Sequence, residues 1–235
     1  MNVALFFGSF NPTHRGHVEM GEEILSNCSI IDEVWYILSP QNPDKKNNLL
    51  LDDRHRYKIL KKSLKGNSKL KCKMLEFLLP KPSYSYLTLK LLENMYPNNN
   101  FYLSIGTDSL NNIDNWEESE YVKSFPFIVF ERNGEKVKEN LDINIESIIY
   151  SNNPYSSTEV RKSLEKLDYK HLKNMMCEEA YNYLINKNID FNNGLWQGKE
   201  EKIRKLKNWI YIKLNTLGWL IKWKISYTNM KALFR

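Results

Sequence analysis

Residues 3–17 read VALFFGSFNPTHRGH, and this stretch decides the fold. Its apolar start, Val3–Phe7, has the length and composition of a buried β-strand. Gly8 then allows a turn in which the backbone can approach a ligand, and Pro12 stiffens that turn before a helix begins near Arg15–Gly16. Such a junction gathers unpaired N–H groups at the positive end of a helix dipole, so it predicts a phosphate-binding site.

Two of the four histidines of the chain, His14 and His17, lie at the start of that helix. Side chains three positions apart on a helix lie on the same face, so both rings can reach the same ligand. A single histidine here would be read as a solvated loop residue. Two at this spacing behind a glycine turn favour N–H donation to phosphoryl oxygens.

Beyond this stretch, strand-like and helix-like segments alternate over the first 190 residues. The alternation predicts an α/β fold: a Rossmann-like, doubly wound, mostly parallel sheet with helices on both faces. Expected strands are Val3–Phe7, Glu33–Leu38, Leu70–Leu79, Phe101–Ile105, Phe125–Phe130 and Ser147–Tyr150. Expected helices are His17–Leu25, Arg54–Leu64, Tyr84–Met95, Ser157–Leu164 and Glu178–Asn186.

A second polar cluster, SSTEVR at residues 156–161, follows Pro154. Serine or threonine followed by Glu159 is a signature of a helix N-terminus, so a capped helix start explains part of it. The same surface also brings hydroxyls, helix N–H groups and Arg161 toward anionic oxygens. Both interpretations hold together, because a cap site and an anion site use the same groups.

These two clusters, in this order, resemble the nucleotidyltransferase superfamily with an H-x-G-H signature. GSFNPTHRGH at residues 8–17 is similar to the opening of the bacterial-type nicotinate-nucleotide adenylyltransferases. Further segments that resemble this family occur in order: PQNPDKK (40–46), KPSYSYLTL (81–89), GTDSLNNIDNW (106–116), FERNG (130–134) and the YSSTEVR segment (155–161). Together they cover residues 1 to about 187.

The chain departs from the family pattern in three places. The family's Pro-Pro-His-Lys loop reads Pro43-Asp44-Lys45-Lys46 here, which leaves open which lysine takes the family role. Ser85 replaces a threonine, and Leu87 stands where an acidic residue is common. These changes concern the mononucleotide side more than the ATP side.

The resemblance implies adenylyl transfer from ATP to nicotinate mononucleotide, giving deamido-NAD and pyrophosphate, a step of NAD biosynthesis. It implies two catalytic residues, His14 and His17, with no covalent intermediate, and Mg²⁺ arriving with ATP and held mainly by its phosphates, so no metal site of the protein itself is expected. The residues that it implies for ATP binding are Gly8, Ser9, Phe10, His14, His17, Gly106, Asp108, Ser157, Thr158 and Arg161. Those implied for the mononucleotide are Lys45, Lys46, Ser85, Thr88, Trp116 and Arg132.

Net charge separates the chain into a body and a tail. Residues 195–235 hold ten of the 34 Lys and Arg and two of the 28 Asp and Glu, a net of +8, which leaves −2 for residues 1–194. We therefore expect a nucleotidyltransferase domain (1–187), an Asn-rich linker (188–194) and a basic, Trp-rich, amphipathic helical tail (195–235). Such a tail favours contact with an anionic membrane surface, a partner protein or a second subunit, so a homo-oligomer stays open.

The slightly acidic body makes nucleic acid an unlikely partner. A related transferase with nicotinamide mononucleotide or phosphopantetheine as acceptor, and an RNA-binding or synthetase-like module, stay open as alternative functions. Three scattered cysteines indicate neither a disulfide framework nor a zinc site. With no secretory signal or membrane-spanning run in the sequence, we expect a cytoplasmic protein, with the nucleus not excluded.

Overall fold

A computed structural model describes residues 1–43, 50–131, 134–138 and 141–187. Its six strands are β1 (Asn2–Gly8), β2 (Glu33–Leu38), β3 (Leu70–Lys73), β4 (Asn100–Gly106), β5 (Phe127–Glu131) and β6 (Ile145–Tyr150). The helices are α1 (Arg15–Asn27), α2 (Asp53–Ser63), α3 (Ser85–Met95), α4 (Thr107–Leu110), α5 (Ser119–Lys123), α6 (Ser157–Glu165), α7 (Tyr169–Met175) and α8 (Glu178–Asn186). The predicted linker and tail, residues 188–235, lie outside the described residues.

The six strands form one sheet in the order β3-β2-β1-β4-β5-β6, and every pair of neighbours is parallel. The predicted Rossmann-like, doubly wound fold is thereby confirmed, with an entirely parallel sheet where a mostly parallel one was expected. The strand order reverses between β1 and β4. In open α/β sheets, ligands bind beyond the carboxyl ends of the strands at this kind of switch point.

Alternate residues along the strands enter two separate apolar cores, one on each face of the sheet. Leu5 of β1 packs with Leu89 and Leu92 of α3 on one face, and Tyr36 of β2 packs with Ile24 of α1 on the other. This period of two explains why the buried strands read as continuous apolar runs in the sequence. A third apolar cluster joins α2 with α6, α7 and α8. Among the described residues, no helix is long and apolar enough to cross a bilayer.

The predicted third strand, Leu70–Leu79, is wrong at its end. β3 stops at Lys73, and residues Leu75–Leu78 form a 3-10 helix. Within the described part of the chain, β3 lies at the edge of the sheet and pairs only with Val34–Ile37 of β2, which ends one residue later at Leu38, so the apolar continuation of β3 has no strand there to pair with. The turn instead buries the Glu76 side chain, which is 1% exposed.

Candidate active site

The main cavity lies at the carboxyl ends of β1, β2 and β4, where the switch-point rule places a ligand. Its volume is about 980 Å³, at the upper end of the range for small-molecule sites. Eleven of the sequence-predicted site residues line it: Gly8, Ser9, Phe10, His17, Ser85, Gly106, Asp108, Trp116, Ser157, Thr158 and Arg161. His14 and Thr88 are described but do not line it, and Lys45, Lys46 and Arg132 lie outside the described residues.

The turn after β1, residues Gly8–Pro12, has an unusual backbone at Phe10, where φ is +43°. This left-handed conformation folds the Phe10 ring back beneath the turn, where it is 2% exposed. A Cβ on Gly8 would lie 2.8 Å from that ring, so glycine is required by close packing at this position. The ring also meets His17 edge-on, with 5.2 Å between the centroids.

The two histidines are packed against each other, with 3.8 Å between the ring centroids. The backbone N–H of His14 donates to Nδ1 of His17 at 3.2 Å. Because Nδ1 accepts a hydrogen bond, a neutral His17 carries its proton on Nε2. His17 lines the cavity and can donate from Nε2, while His14 is buried at 6% exposure and acts as the N-cap of α1.

The SSTEVR cluster and the turn after β1 are joined directly. Ser157 Oγ donates to the Pro12 carbonyl at 3.0 Å, and Arg161 Nη1 donates to the Asn11 carbonyl at 2.7 Å. Nη2 of the same guanidinium donates to Thr158 Oγ1 at 3.0 Å. Burial lowers the pKa of Arg161, but a guanidinium stays charged near neutral pH. The first turn of α6 therefore presents hydroxyls and a positive charge beside the turn after β1.

Gly106 and Asp108 form the wall of the cavity at the end of β4. Asp108 Oδ1 lies 2.7 Å from the position that a Cβ on Gly106 would take, so the carboxylate folds over the glycine. Trp116 is partly buried against the core that packs on α3 and also lines the cavity, so one side of it remains available to a ligand. Ser85, the first residue of α3, completes this side.

Thr88 is fully buried, and its hydroxyl donates to Oε1 of Glu76 at 3.1 Å. Glu76 lines the cavity wall, and burial raises the pKa of its carboxyl group, with hydrogen bonds from Ser39, Ser83 and Thr88 acting in the opposite direction. Thr88 therefore contacts a buried carboxyl group, where the resemblance had implied contact with the mononucleotide.

Sequence reasoning missed two buried charged residues of the site, Glu76 and Arg56. Glu76 lies inside what the sequence pattern predicts as a strand. Arg56 lies in a run of charged residues, DDRHRYK, that is typical of a solvated helix face, and yet it is 0% exposed. Only the tertiary structure brings both beneath the loops of the cavity.

The comparisons with known proteins agree with this geometry. Residues 5–163 match the family model described as cytidylyltransferase-like. The chain belongs to the cytidylyltransferase-like family. This match confirms the superfamily that the two clusters indicated. The relatives described next are all named for the same adenylyltransferase activity.

A Christiangramia forsetii protein named a probable nicotinate-nucleotide adenylyltransferase is 32% identical over 80% of this chain and 97% of its own length. A protein of the same name from Cytophaga hutchinsonii is 43% identical over 52% of this chain, and the match spans 63% of that relative. Among solved structures, Plasmodium falciparum nicotinic acid mononucleotide adenylyltransferase complexed with APC is 26% identical. Its TM-score is 0.65, over 80% of this chain and 96% of that one.

Proposed function

We propose that this chain is a nicotinate-nucleotide adenylyltransferase that transfers the adenylyl group of ATP to nicotinate mononucleotide. The relative from Christiangramia forsetii, matched over 97% of its length, carries this proposal. The geometry supports it, because a single cavity is lined by the anion-binding elements, His17 and Arg161, and by an aromatic platform, Trp116.

The reaction exchanges one phosphorus–oxygen bond for another. A phosphate oxygen of the mononucleotide attacks the α-phosphorus of ATP, the bond to the bridging oxygen of the β-phosphate breaks, and pyrophosphate leaves. No covalent intermediate is needed, so the protein contributes positioning and charge stabilisation. His17 Nε2 donates to the oxygens on which negative charge develops. The Arg161 guanidinium and the first turn of α6 hold the phosphates that leave.

Mg²⁺ is expected with ATP and would supply charge neutralisation on the phosphates. The described residues include no group of three or more His, Cys, Asp or Glu side chains arranged around a metal position. Mg²⁺ usually keeps several waters and binds through substrate phosphates plus one or two carboxylates. The residues that line the cavity therefore fit an ion that is carried by the nucleotide. Asp108, which lines the cavity, is assigned to ATP itself, as the acceptor for its ribose hydroxyls.

On the mononucleotide side, we assign the pyridine ring to the exposed side of Trp116 and the sugar-phosphate to Ser85 and to the loop that holds Lys45 and Lys46. Arg132, after β5, is assigned a supporting positive charge. His14 is assigned the role of orienting His17, since its N–H fixes the tautomer of that ring. Thr88 is assigned a supporting role through Glu76.

An acceptor panel tests the proposed function. Purified protein is given ATP and Mg²⁺ with nicotinate mononucleotide, nicotinamide mononucleotide or phosphopantetheine, and pyrophosphate and the dinucleotide are measured together. We expect pyrophosphate and deamido-NAD in equal amounts with the acid mononucleotide. Faster turnover with either of the other acceptors would contradict the assignment.

We further propose that residues 1–187 form the catalytic domain, that 188–194 are a linker, and that the basic tail, 195–235, binds an anionic surface. Co-sedimentation with anionic vesicles compares the full chain with a version that ends at Gly194. Equal binding would remove the membrane proposal and leave a partner protein or a second subunit, which light scattering of both versions distinguishes. We also assign the protein to the cytoplasm, a reducing compartment, because its three cysteines are few and widely spread along the chain.

A further inference from the structure

Arg56 is a fully buried cation that contacts two residues of the cavity wall, Ser9 and Ser39. Its Nη1 donates to the carbonyls of Ser9 at 2.6 Å and Ser39 at 2.8 Å, and its Nε donates to the Leu51 carbonyl at 3.0 Å. Nη2 contacts the Pro40 carbonyl at 3.5 Å and pairs with the Asp53 carboxylate. We infer that Arg56 is a positioning residue for the reaction: it fixes the phosphate-binding turn after β1 and couples that turn to the loop after β2.

The contacts of Arg56 are of an unusual kind for a buried charge. A buried cation is normally matched by a carboxylate, and Asp53 on the same helix fills that role here. That pair would need only one or two of the guanidinium's five N–H groups. The others go to main-chain carbonyls in three separate segments, those of Ser9, Ser39–Pro40 and Leu51. The fork geometry of arginine is therefore used to hold loops in place.

The contact with Ser9 determines where the next N–H group points. In a trans peptide unit the C=O and N–H bonds point in opposite directions, so drawing the Ser9 carbonyl toward Arg56 turns the Phe10 N–H the other way. Arg56 is fully buried and does not line the cavity, whereas Ser9 and Phe10 do, so we expect the N–H turned away from Arg56 to face the cavity. Phe10 holds its left-handed backbone at φ +43°, which costs energy and needs such external restraint.

The contact with Ser39 extends the effect to the second substrate. The N–H of Ser39 donates to the Gly8 carbonyl at 2.9 Å, so the ends of β1 and β2 are already linked there. Two residues later, the Gln41 carbonyl accepts from the N–H of Ser83 at 2.8 Å, in the loop that leads to Ser85. A change at Arg56 can therefore reach both subsites, first the ATP phosphates and then the mononucleotide.

A residue that served stability alone would behave differently. The helix that carries Arg56 is independently anchored, because its neighbours Ile59 and Leu60 are fully buried in two apolar cores. Loss of the guanidinium should therefore leave α2 in place and release the turn. We expect reduced ATP affinity in molecules that are still folded.

The test, which rests on the proposed function, compares Arg56→Met, Arg56→Lys and Phe101→Leu. Phe101 lies near the amino end of β4, whereas the cavity lies at the carboxyl ends of the strands, so its variant reports the effect of lost stability alone. Circular dichroism fixes a temperature at which each protein is folded. Calorimetry then gives the ATP affinity, and steady-state kinetics give KM and kcat for both substrates.

We expect Arg56→Met to weaken ATP binding about tenfold or more, the usual loss for a charge-assisted hydrogen bond, with a smaller rise in KM for the mononucleotide. Lysine can replace only part of the fork, so Arg56→Lys should fall between Met and wild type, and Phe101→Leu should keep wild-type affinity. If both Arg56 variants bind ATP as wild type does and lose only thermal stability, the inference is overturned. Should Arg56→Met not fold, Arg56→Lys decides between the same two outcomes.

The same measurements test the proposed function and the role of Arg56 independently. Wild-type protein that binds ATP but forms no dinucleotide contradicts the proposed function, and the ATP affinities of the three variants still test the role of Arg56.

Discussion

A single hydrogen bond sets the chemistry of His17. The His14 N–H donates to Nδ1 and so leaves the proton on Nε2, the nitrogen available to the cavity. The edge-on contact with the Phe10 ring restricts rotation of the imidazole. The tautomer and the direction of the His17 ring are therefore both fixed before substrate arrives, which suits the donor role that we propose for it.

Replacing His17 with Ala should therefore lower kcat by about 10²–10³, the loss seen when one preorganised donor to a developing charge is removed. KM for ATP should change less, because the bond to His17 strengthens as charge develops. Pyrophosphate release under saturating substrates measures the effect. His171→Ala is the matched control, since that side chain is 49% exposed on α7. Equal kcat for the two variants would contradict the role of His17.

Glu76 leads to a prediction about pH. Burial raises the pKa of its carboxyl group above the ordinary value of 4.5, so the folded protein holds this proton more tightly than the unfolded chain. The resulting stability is complete below the unfolded pKa and is lost as pH rises through the folded pKa.

Glu76→Gln removes this titration while keeping an oxygen for Thr88. We expect the difference between the melting temperatures, variant minus wild type, to increase as pH rises above about 4.5, the ordinary carboxyl pKa. Glu146→Gln, at an exposed position on β6, is the control and should follow wild type. A difference between Glu76→Gln and wild type that does not change with pH would contradict the burial argument.

At the scale of elements, two glycines of the chain differ sharply in what surrounds them. Gly21 on α1 faces Tyr36, and an added Cβ would lie 2.0 Å from the Tyr36 hydroxyl oxygen. That hydroxyl donates to the His17 carbonyl at 2.8 Å, and Tyr36 is fully buried. The close approach of α1 to β2 therefore places the first turn of α1, and His17 with it.

Gly21→Ala should destabilise the fold by about 1–3 kcal/mol, because the cost of overpacking exceeds the gain in helix propensity. Gly66→Ala is its control, since no atom lies within 4 Å of the added methyl group, and it should stay within about 0.5 kcal/mol of wild type. Urea unfolding of both variants measures the difference. Similar midpoints for the two would show that α1 can move away from β2.

The elements also show how far sequence reasoning reaches. The boundaries of β2 and α8 agree with the sequence prediction. In each, the apolar pattern ends at turn-forming residues: Ser39 and Pro40 follow β2, and an Asn-rich segment follows α8. β3 was predicted too long, since apolar residues alone do not reveal where the neighbouring strand, β2, ends. Arg56 could not be assigned at all, because three of the four carbonyls that accept from it, those of Ser9, Ser39 and Pro40, lie 16 to 47 residues away. Local pattern predicts elements and anion-binding turns, whereas burial of charge depends on contacts that form only in three dimensions.

At the scale of the whole molecule, the site is assembled from most of the described chain. The turn after β1, the loop after β2, the end of β4 and the start of α6 all border one cavity. Ligand binding should therefore stabilise the fold as a unit.

ATP with Mg²⁺ at about 100 times its Kd should add about 2.7 kcal/mol to the free energy of unfolding, which corresponds to a rise in melting temperature of about 5–10 °C. Differential scanning fluorimetry measures the shift. Arg161→Ala should show a smaller rise at the same ATP concentration, because one charged contact is lost. A rise as large with sulfate at equal ionic strength would mean that ATP is not specifically recognised.

The bonds between α6 and the turn after β1 have a consequence for synthesis of the protein. Ser157 and Arg161 hold carbonyls that lie 145 and 150 residues earlier in the chain. A ribosome adds about 5–20 residues per second, so roughly 7 to 30 seconds separate the emergence of the two halves. A nascent chain thus exposes its glycine turn long before Arg161 is made. A product terminated before residue 157 would keep both histidines but would lack the side chains that hold the Pro12 and Asn11 carbonyls.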